Sequence, residues 1–186
     1  MENLKTEDSV GAGLVTRSLI GDALHSRGRF TVECIGADGK LKWKDTIDNL
    51  VTTVGKNDLL DKYLGTGAFT PTIHMGLKGV GTAVIGDTQA SHVAWLEQGG
   101  TNAPVYTGTR PTPTFSAAAA GAKATSAAVS FSITSSGTVA GCFINNGGAA
   151  TKDDTTGILF SAGDFTGGSR AVVNLDTLNV TYSLSV

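Results

Sequence analysis

Long apolar runs, basic charge and cysteine are all scarce in this sequence. No stretch of about 18 apolar residues occurs, so we expect no transmembrane helix. Only 16% of the 186 residues are charged and the formal net charge is −2, which argues against nucleic acid as the main partner because duplex binding depends on clustered Lys and Arg. The N-terminal run MENLKTEDSVGAGLVTR is acidic and polar, whereas a secretory signal is basic and then apolar. We therefore expect synthesis in the cytoplasm and no membrane partner.

Only two cysteines are present, and they lie far apart in the sequence. Cys34 and Cys142 each occur in an apolar, strand-like run, FTVECI and VAGCFI. Because cytoplasmic thiols stay reduced, we predict two small buried side chains rather than a disulfide.

The common catalytic motifs are missing as well. The sequence has no G-x-x-x-x-G-K-[ST] phosphate loop and no G-x-S-x-G nucleophile elbow. The glycine-rich run GLKGVGTAVIGD has Val84 where a dinucleotide-binding fingerprint needs its third glycine. The histidines are isolated from one another and lack zinc-ligand spacing; they are His25, His74 and His92. We therefore predict no catalytic residue and no cofactor.

Two further pairs of residues could bind a ligand, and in each case packing or solvation is the simpler interpretation. Asp153 and Asp154 in TKDDTT could contact calcium, but they lack the regular ligand spacing of a calcium loop and are typical of a solvated loop. Trp43 and Trp95 could form a sugar-stacking platform, but each lies in a mixed apolar run that favours core or interface packing. The sequence thus predicts no metal site.

The chain divides into three parts. Residues 1–28 have no sustained hydrophobic period and few large apolar side chains, so we interpret them as an extended arm that needs a surface to lie on. Residues 29–69 contain a predicted β-hairpin with its turn at Asp38-Gly39. A short helix is predicted in GKNDLLDKYLG, with Asn57 as its N-cap and Gly65 at its end. Its apolar face would carry Leu59, Leu60, Tyr63 and Leu64.

Residues 70–186 read as a β-sandwich or jelly-roll-like domain. Eight runs have strand character, and they are separated by Gly-, Asn- and Ser-rich turns. The runs are TIHMGLKG, SHVAWLE, TPTFSAAAA, SAAVSFSIT, TVAGCFINN, TGILFSA, RAVVN and DTLNVTYSLSV. The last of them alternates up to the C-terminal residue, which predicts an interior strand held by neighbours on both sides. Its predicted core-facing residues are Leu178, Val180, Tyr182, Leu184 and Val186.

The blocks from Trp43 to Leu60 and from Phe160 to Val180 resemble two sequence patterns found in small virion structural proteins of tailed bacteriophages. In those proteins a W-x-x-x-x-x-N-x-V-x-x-x-G-x-x-x-L-L block precedes a β domain that closes with an F-S-A-G-x-F…R-x-V…D-T-L-x-V pattern. The first block is carried here by Trp43, Asn49, Val51, Gly55, Leu59 and Leu60. The second is carried by Phe160, Ser161, Ala162, Gly163, Phe165, Arg170, Val172, Asp176, Thr177, Leu178 and Val180. The resemblance covers roughly residues 30–186 and leaves the arm out.

The resemblance implies a non-enzymatic component of a phage particle. Within that class we favour a capsid decoration, or cement, protein that binds the outer surface of the head and stabilises contacts between capsomers. Its partner would be the major capsid protein, which the arm would contact. The particle would be assembled in the host cytoplasm. Apolar residues in TIHMGLKG and SHVAWLE favour a homo-oligomer, which the resemblance suggests is a trimer. The alternative is a tail or fibre component that contacts host surface glycans; nothing in the spacing of Asp and Glu supports a glycan hydrolase.

Overall fold

The computed structural model describes residues 26–65 and 72–186, and this part of the chain is mainly β, as the sequence predicts. The helix α1 (Thr53–Leu64) directly follows the second strand. The strands are β1 (Arg27–Ile35), β2 (Leu41–Val51), β3 (Ile73–Lys78), β4 (Glu97–Gln98), β5 (Ala122–Ala124), β6 (Val129–Ser132), β7 (Gly137–Val139), β8 (Gly141–Asn146), β9 (Ile158–Asp164), β10 (Arg170–Val172) and β11 (Thr177–Ser185).

Nine of these strands form one antiparallel sheet in the order β4-β3-β8-β9-β2-β1-β11-β5, with β6 also paired to β11. The strand β2 changes partner along its length, because its residues up to Asn49 pair with β1 whereas Leu50 and Val51 pair with β9. Apolar side chains of β1 and β11 meet those of β3 and β8 in one core, so these two parts of the sheet pack against each other. This is a β-sandwich-like arrangement.

The alternating patterns predicted for β1 and β6 are confirmed. The core-facing residues of β1 (Phe30, Val32 and Cys34) have no exposed surface. The pattern around β6 likewise buries its apolar positions, which are Val129, Phe131 and Ile133. The hairpin is confirmed as well, because β1 and β2 pair across a turn in which Gly39 has a φ of 76°. Local alternation was therefore sufficient to place these strands.

Both cysteines are buried free thiols, as predicted. Burial, together with the charge of the nearby Asp176 carboxylate, raises the pKa of Cys34 to about 11. Cys142 is also raised in pKa by burial. Neither side chain is a reactive thiolate at neutral pH.

Two predicted strands are wrong, a third is divided in two, and one strand was not predicted. The run TVAGCFINN forms both β7 and β8, which are separated at Ala140 and lie in different sheets because β7 pairs with β10. In SHVAWLE only Glu97 belongs to a strand, because the chain turns between His92 and Trp95 and leaves the side chains of Val93 and Trp95 in opposite environments, 96% and 1% exposed. The run TPTFSAAAA makes only isolated bridges, from Phe115 and Ala119. The strand β5, with sequence AKA, is fully exposed and has no apolar alternation to detect.

The helix is confirmed, but its predicted start and its predicted apolar face are wrong. It begins at Thr53, with Thr52 as the N-cap accepting a hydrogen bond from Gly55 N at 3.0 Å, so Asn57 lies inside the helix. Its predicted end at Gly65 is correct. Of the predicted face only Leu59 packs against the core. The others are exposed: Leu60 48%, Leu64 75% and Tyr63 86%.

The C-terminal strand is an interior strand, as predicted. It pairs with β1 on one side and with β5 and β6 on the other. Leu178, Val180 and Tyr182 are buried. The prediction is wrong at the end of the strand, where Leu184 is half-buried and Val186 is 53% exposed, because the core ends before the chain does.

The boundaries of the sheet differ from those predicted between the three parts of the chain. The strand β1 begins at Arg27, so the last residues of the predicted arm belong to the sheet; residues 1–25 of the arm lie outside the described residues. The β1–β2 hairpin is in the middle of the same sheet as β8, β9 and β11, so residues 29–69 and 70–186 contribute to one β domain. No helix of the described residues is long and apolar enough to cross a membrane.

Candidate interaction surface

The residues considered in the sequence as possible ligand-binding groups are engaged in separate local contacts. The buried His74 lies on β3 with Nδ1 3.3 Å from Thr112 Oγ1, and burial, aided by the charge of Arg110, lowers the pKa of its imidazole. His92 stacks on Trp95, with ring centroids 3.9 Å apart. Within residues 26–65 and 72–186, no three His, Cys, Asp or Glu side chains form a group that could hold a metal ion. His25 lies outside the described residues.

The two acidic residues of TKDDTT hold loops together. Asp153 accepts hydrogen bonds from the backbone N and the hydroxyl of Thr101, at 2.7 and 2.8 Å. Asp154 accepts from the backbone N of Thr156 at 2.9 Å and also from its hydroxyl, and these two hydrogen bonds are the main causes that lower the pKa of Asp154. Both carboxylates therefore have local structural partners.

The tryptophans do not form a common platform. Trp95 is 1% exposed and lies with Phe143 and Leu159 in a small second core. Trp43 is half-buried at another place, where its ring meets that of Phe165 edge-on at 5.6 Å. Packing, the interpretation favoured from the sequence, is confirmed for both.

A group of exposed apolar side chains lies on the segment between β3 and β4. We call this group the loop surface. Its residues are Val80 (67% exposed), Val84 (50%), Ile85 (50%), Val93 (96%) and Leu96 (60%). Contiguous exposed apolar patches are typical of contact surfaces, whereas single exposed apolar side chains are common on any protein. These five side chains lie on one segment of the chain, which makes that segment the candidate.

Buried polar groups fix the backbone that carries the loop surface. Lys78 has no exposed side-chain area, and its ammonium group donates to Asp164 and to the carbonyl oxygens of Gly79 and Gly81. Burial lowers the pKa of Lys78, and the Asp164 carboxylate opposes that effect. Asp87 accepts from Trp95 Nε1 at 2.9 Å. These contacts hold the segment at both ends and in its middle.

A buried ion pair fixes the end of the same segment. Arg110 donates to both carboxylate oxygens of Glu97, at 2.8 and 2.5 Å, and both side chains are almost completely buried. Arg110 also donates to the Asp154 carbonyl at 2.7 Å, and Glu97 accepts from Asp153 N at 2.9 Å. Every side-chain nitrogen and oxygen of the pair therefore has a hydrogen-bond partner, which is the condition under which buried charges are tolerated. These contacts join the end of the β3–β4 segment to the loop that carries Asp153 and Asp154.

An apolar cleft of about 520 Å³ opens beside α1. Four of its lining residues are apolar side chains that pack against the core but are only half-buried: Leu59, Ile73, Phe115 and Leu184. Its charged lining residues are Asp58, Lys62 and Lys123. The remaining lining residues are Tyr63, Thr112, Pro113, Ile144, Asn146, Phe160 and Tyr182. The cleft joins elements that are far apart in sequence, so no local motif could have predicted it.

Most residues of the two blocks that resemble phage virion proteins are buried or half-buried in the fold. Gly55 lies against Phe160, where an added Cβ would be 2.3 Å from the carbonyl oxygen. Arg170 donates two hydrogen bonds to the buried Asp45, at 3.0 and 2.7 Å. Leu60 differs from the others in being exposed on α1. These two contacts hold the sheet and the helix together, and two other residues of the blocks, Leu59 and Phe160, line the apolar cleft.

Comparison of the chain with protein-family models, with curated proteins and with solved structures gives no match. The candidate site consists of an exposed apolar loop surface and an apolar cleft, and such features suit contacts with other polypeptide chains.

Proposed function

We propose that this protein is a non-enzymatic virion structural protein of the capsid decoration type. In this proposal it binds the outer surface of a phage head, and its copies associate with one another as a trimer. The loop surface is the observation that carries the proposal. It presents five exposed apolar side chains on a backbone held by Lys78, Asp87 and Glu97.

The buried contacts that hold the backbone of the loop surface support an assembly role. A surface that is already ordered does not have to give up conformational entropy when it meets a partner, and exposed apolar area supplies the favourable free energy of contact. The homo-oligomer was predicted in part from apolar residues of TIHMGLKG, but this run is almost entirely buried. The exposed apolar side chains are instead those of the loop surface, which include Val93 and Leu96. The contact between copies is therefore assigned to the loop surface.

Separation of particle parts tests the proposal. Virions of the phage that encodes this chain would be disrupted, and heads and tails purified and analysed on a quantitative gel. We expect the protein in the head fraction, in a fixed ratio to the major capsid protein. Recovery only with tails, at a few copies per particle, would instead support the tail or fibre alternative.

A further inference from the structure

The apolar cleft is a part of the core that the described residues leave uncovered. Leu59 on α1, Phe115 in a loop and Leu184 on β11 pack against the core, yet each keeps part of its surface open. Beside them on α1, the large side chains of Tyr63 and Leu64 are 86% and 75% exposed. The volume of the cleft lies within the range of about 300–1,000 Å³ that is usual for ligand-binding pockets, which are mostly apolar as this cleft is.

The N-terminal segment enters the described structure at the wall of this cleft. In the register of β1 and β11, Gly28 lies directly opposite Leu184, and Phe30 lies opposite Tyr182. Both Leu184 and Tyr182 line the cleft. The 25 residues that precede Ser26 are therefore tethered at the edge of an uncovered apolar surface.

The composition of residues 14–25 fits that surface. The run LVTRSLIGDALH contains one arginine and one aspartate, so its formal net charge is zero with histidine neutral. Its large apolar residues are Leu14, Val15, Leu19, Ile20 and Leu24. The run can therefore cover apolar side chains without burying an unbalanced charge. A segment joined to the wall by a short connection also has an effective concentration in the millimolar range, far above that of a free partner.

From these observations we propose that residues 14–25 of the same chain dock in the apolar cleft and cover Leu59, Phe115 and Leu184. The proposal does not rest on a virion role, and it leaves residues 1–13 to extend towards a partner. It gives the first part of the chain a position on the domain and gives the cleft its occupant.

Photo-crosslinking in the full-length protein tests the proposal directly. Tyr63→p-benzoylphenylalanine places the photoreactive group at an exposed position that lines the cleft. The matched control is Leu41→p-benzoylphenylalanine, since Leu41 is 56% exposed beside the β1–β2 turn, at the end of the hairpin away from Gly28. We expect a crosslink from position 63 to a peptide within residues 14–25, and none to that peptide from position 41.

Mixing isotopically heavy and light protein before irradiation identifies which chain supplies the peptide. If the segment docks in its own chain, both halves of each crosslinked peptide pair carry the same label. Mixed pairs would mean that the cleft receives a second copy, and this would overturn the proposal. Crosslinks only to other parts of the chain, or no crosslink at position 63, would overturn it as well.

A dye measurement on full-length variants gives an independent result. Leu19→Asp with Ile20→Asp should release the segment and raise the fluorescence of anilinonaphthalenesulfonate several-fold, because the cleft becomes open to the dye. The control, Thr16→Asp with Ser18→Asp, adds the same charge without removing a large apolar side chain and should leave the fluorescence unchanged. Equal fluorescence in the two variants would contradict docking.

Discussion

The carboxylate of Asp176 is held by groups from three parts of the fold. It accepts hydrogen bonds from Lys42 Nζ at 2.7 Å, from Val173 N at 2.9 Å and from the Cys34 thiol at 3.6 Å. Burial alone would raise the pKa of Asp176, but the hydrogen bonds from Lys42 and Val173 outweigh it, so the pKa lies below the ordinary aspartate value. Because β11 begins at the next residue, this charge fixes the start of the terminal strand.

The lowered pKa of Asp176 predicts how stability depends on pH. A carboxyl group whose pKa is lower in the folded state stabilises that state above its unfolded pKa of about 4, and this contribution is lost as the pH falls through the folded pKa. We expect Asp176→Asn to lower the free energy of unfolding at pH 7 by about 1–3 kcal/mol, since it leaves buried donors poorly satisfied. Urea unfolding at pH 7 and in acid below about pH 3 should show the difference shrinking in acid.

The control for Asp176→Asn is Asp48→Asn. Asp48 is paired with Arg29 at 2.7 Å, but its side chain is 71% exposed, so solvent screens the pair and the loss should be small at both pH values. A loss for Asp176→Asn that does not change with pH would mean that shape, and not charge, is what Asp176 contributes.

Gly55 offers a second prediction at the scale of one residue. Alanine is better than glycine inside a helix by about 1 kcal/mol, so helix propensity alone predicts that Gly55→Ala stabilises. The added Cβ would, however, lie 2.3 Å from the backbone carbonyl oxygen of Phe160, which cannot move without disturbing β9. Overpacking of this kind costs about 1–3 kcal/mol, so we expect a net loss of stability. Thermal unfolding beside the exposed control Lys56→Ala would check it; a higher melting temperature for Gly55→Ala would contradict it.

The elements that the sequence predicts well are those whose burial alternates along one strand. In β1, β6 and most of β11 the apolar residues are the buried ones, so the alternation in the sequence is sufficient to predict which face of the strand meets the core. The start of α1 was missed because its N-cap, Thr52, directly follows β2 with no intervening turn. The run SHVAWLE has the apolar pattern of a strand. Trp95 is nevertheless buried, with its Nε1 donating to Asp87, whereas Val93 is exposed, and the pattern of the run alone does not predict this contact. Tertiary contacts override local pattern in such segments.

The terminal strand provides a prediction at the scale of an element. The ring of Tyr182 is 3% exposed and lies 4.7 Å from that of Phe30, whereas Val186 is 53% exposed. We expect Tyr182→Ala to lower the free energy of unfolding by about 3–5 kcal/mol through the cavity that it leaves. Val186→Ala should change it by less than about 0.5 kcal/mol. Urea denaturation of both variants measures the difference. Similar losses would mean that the core extends to the end of the chain.

At the scale of the whole molecule, the β sheet and the long β3–β4 segment have different tasks. The core is built from β1, β8 and β11 and their neighbours. The β3–β4 segment contributes Trp95 to a small separate core and is otherwise fixed by buried charges. Buried ion pairs add little net stability compared with apolar packing, but removing one partner is costly. We infer that they hold one arrangement of the loop surface, as the proposed contact with a partner requires.

The last prediction concerns that partner. If copies associate through the loop surface, sedimentation at micromolar concentration should give a trimer, and Val93→Asp with Leu96→Asp should give a folded monomer. Both side chains are exposed, at 96% and 60%, so the change spares the core while burying unpaired charge at the contact. The control is Val173→Asp with Leu175→Asp, which are 46% and 68% exposed outside the loop surface and should leave the trimer intact. Dissociation in both variants would point to a general charge effect. Wild-type protein that is monomeric both free and on particles would remove the contact between copies from the proposal.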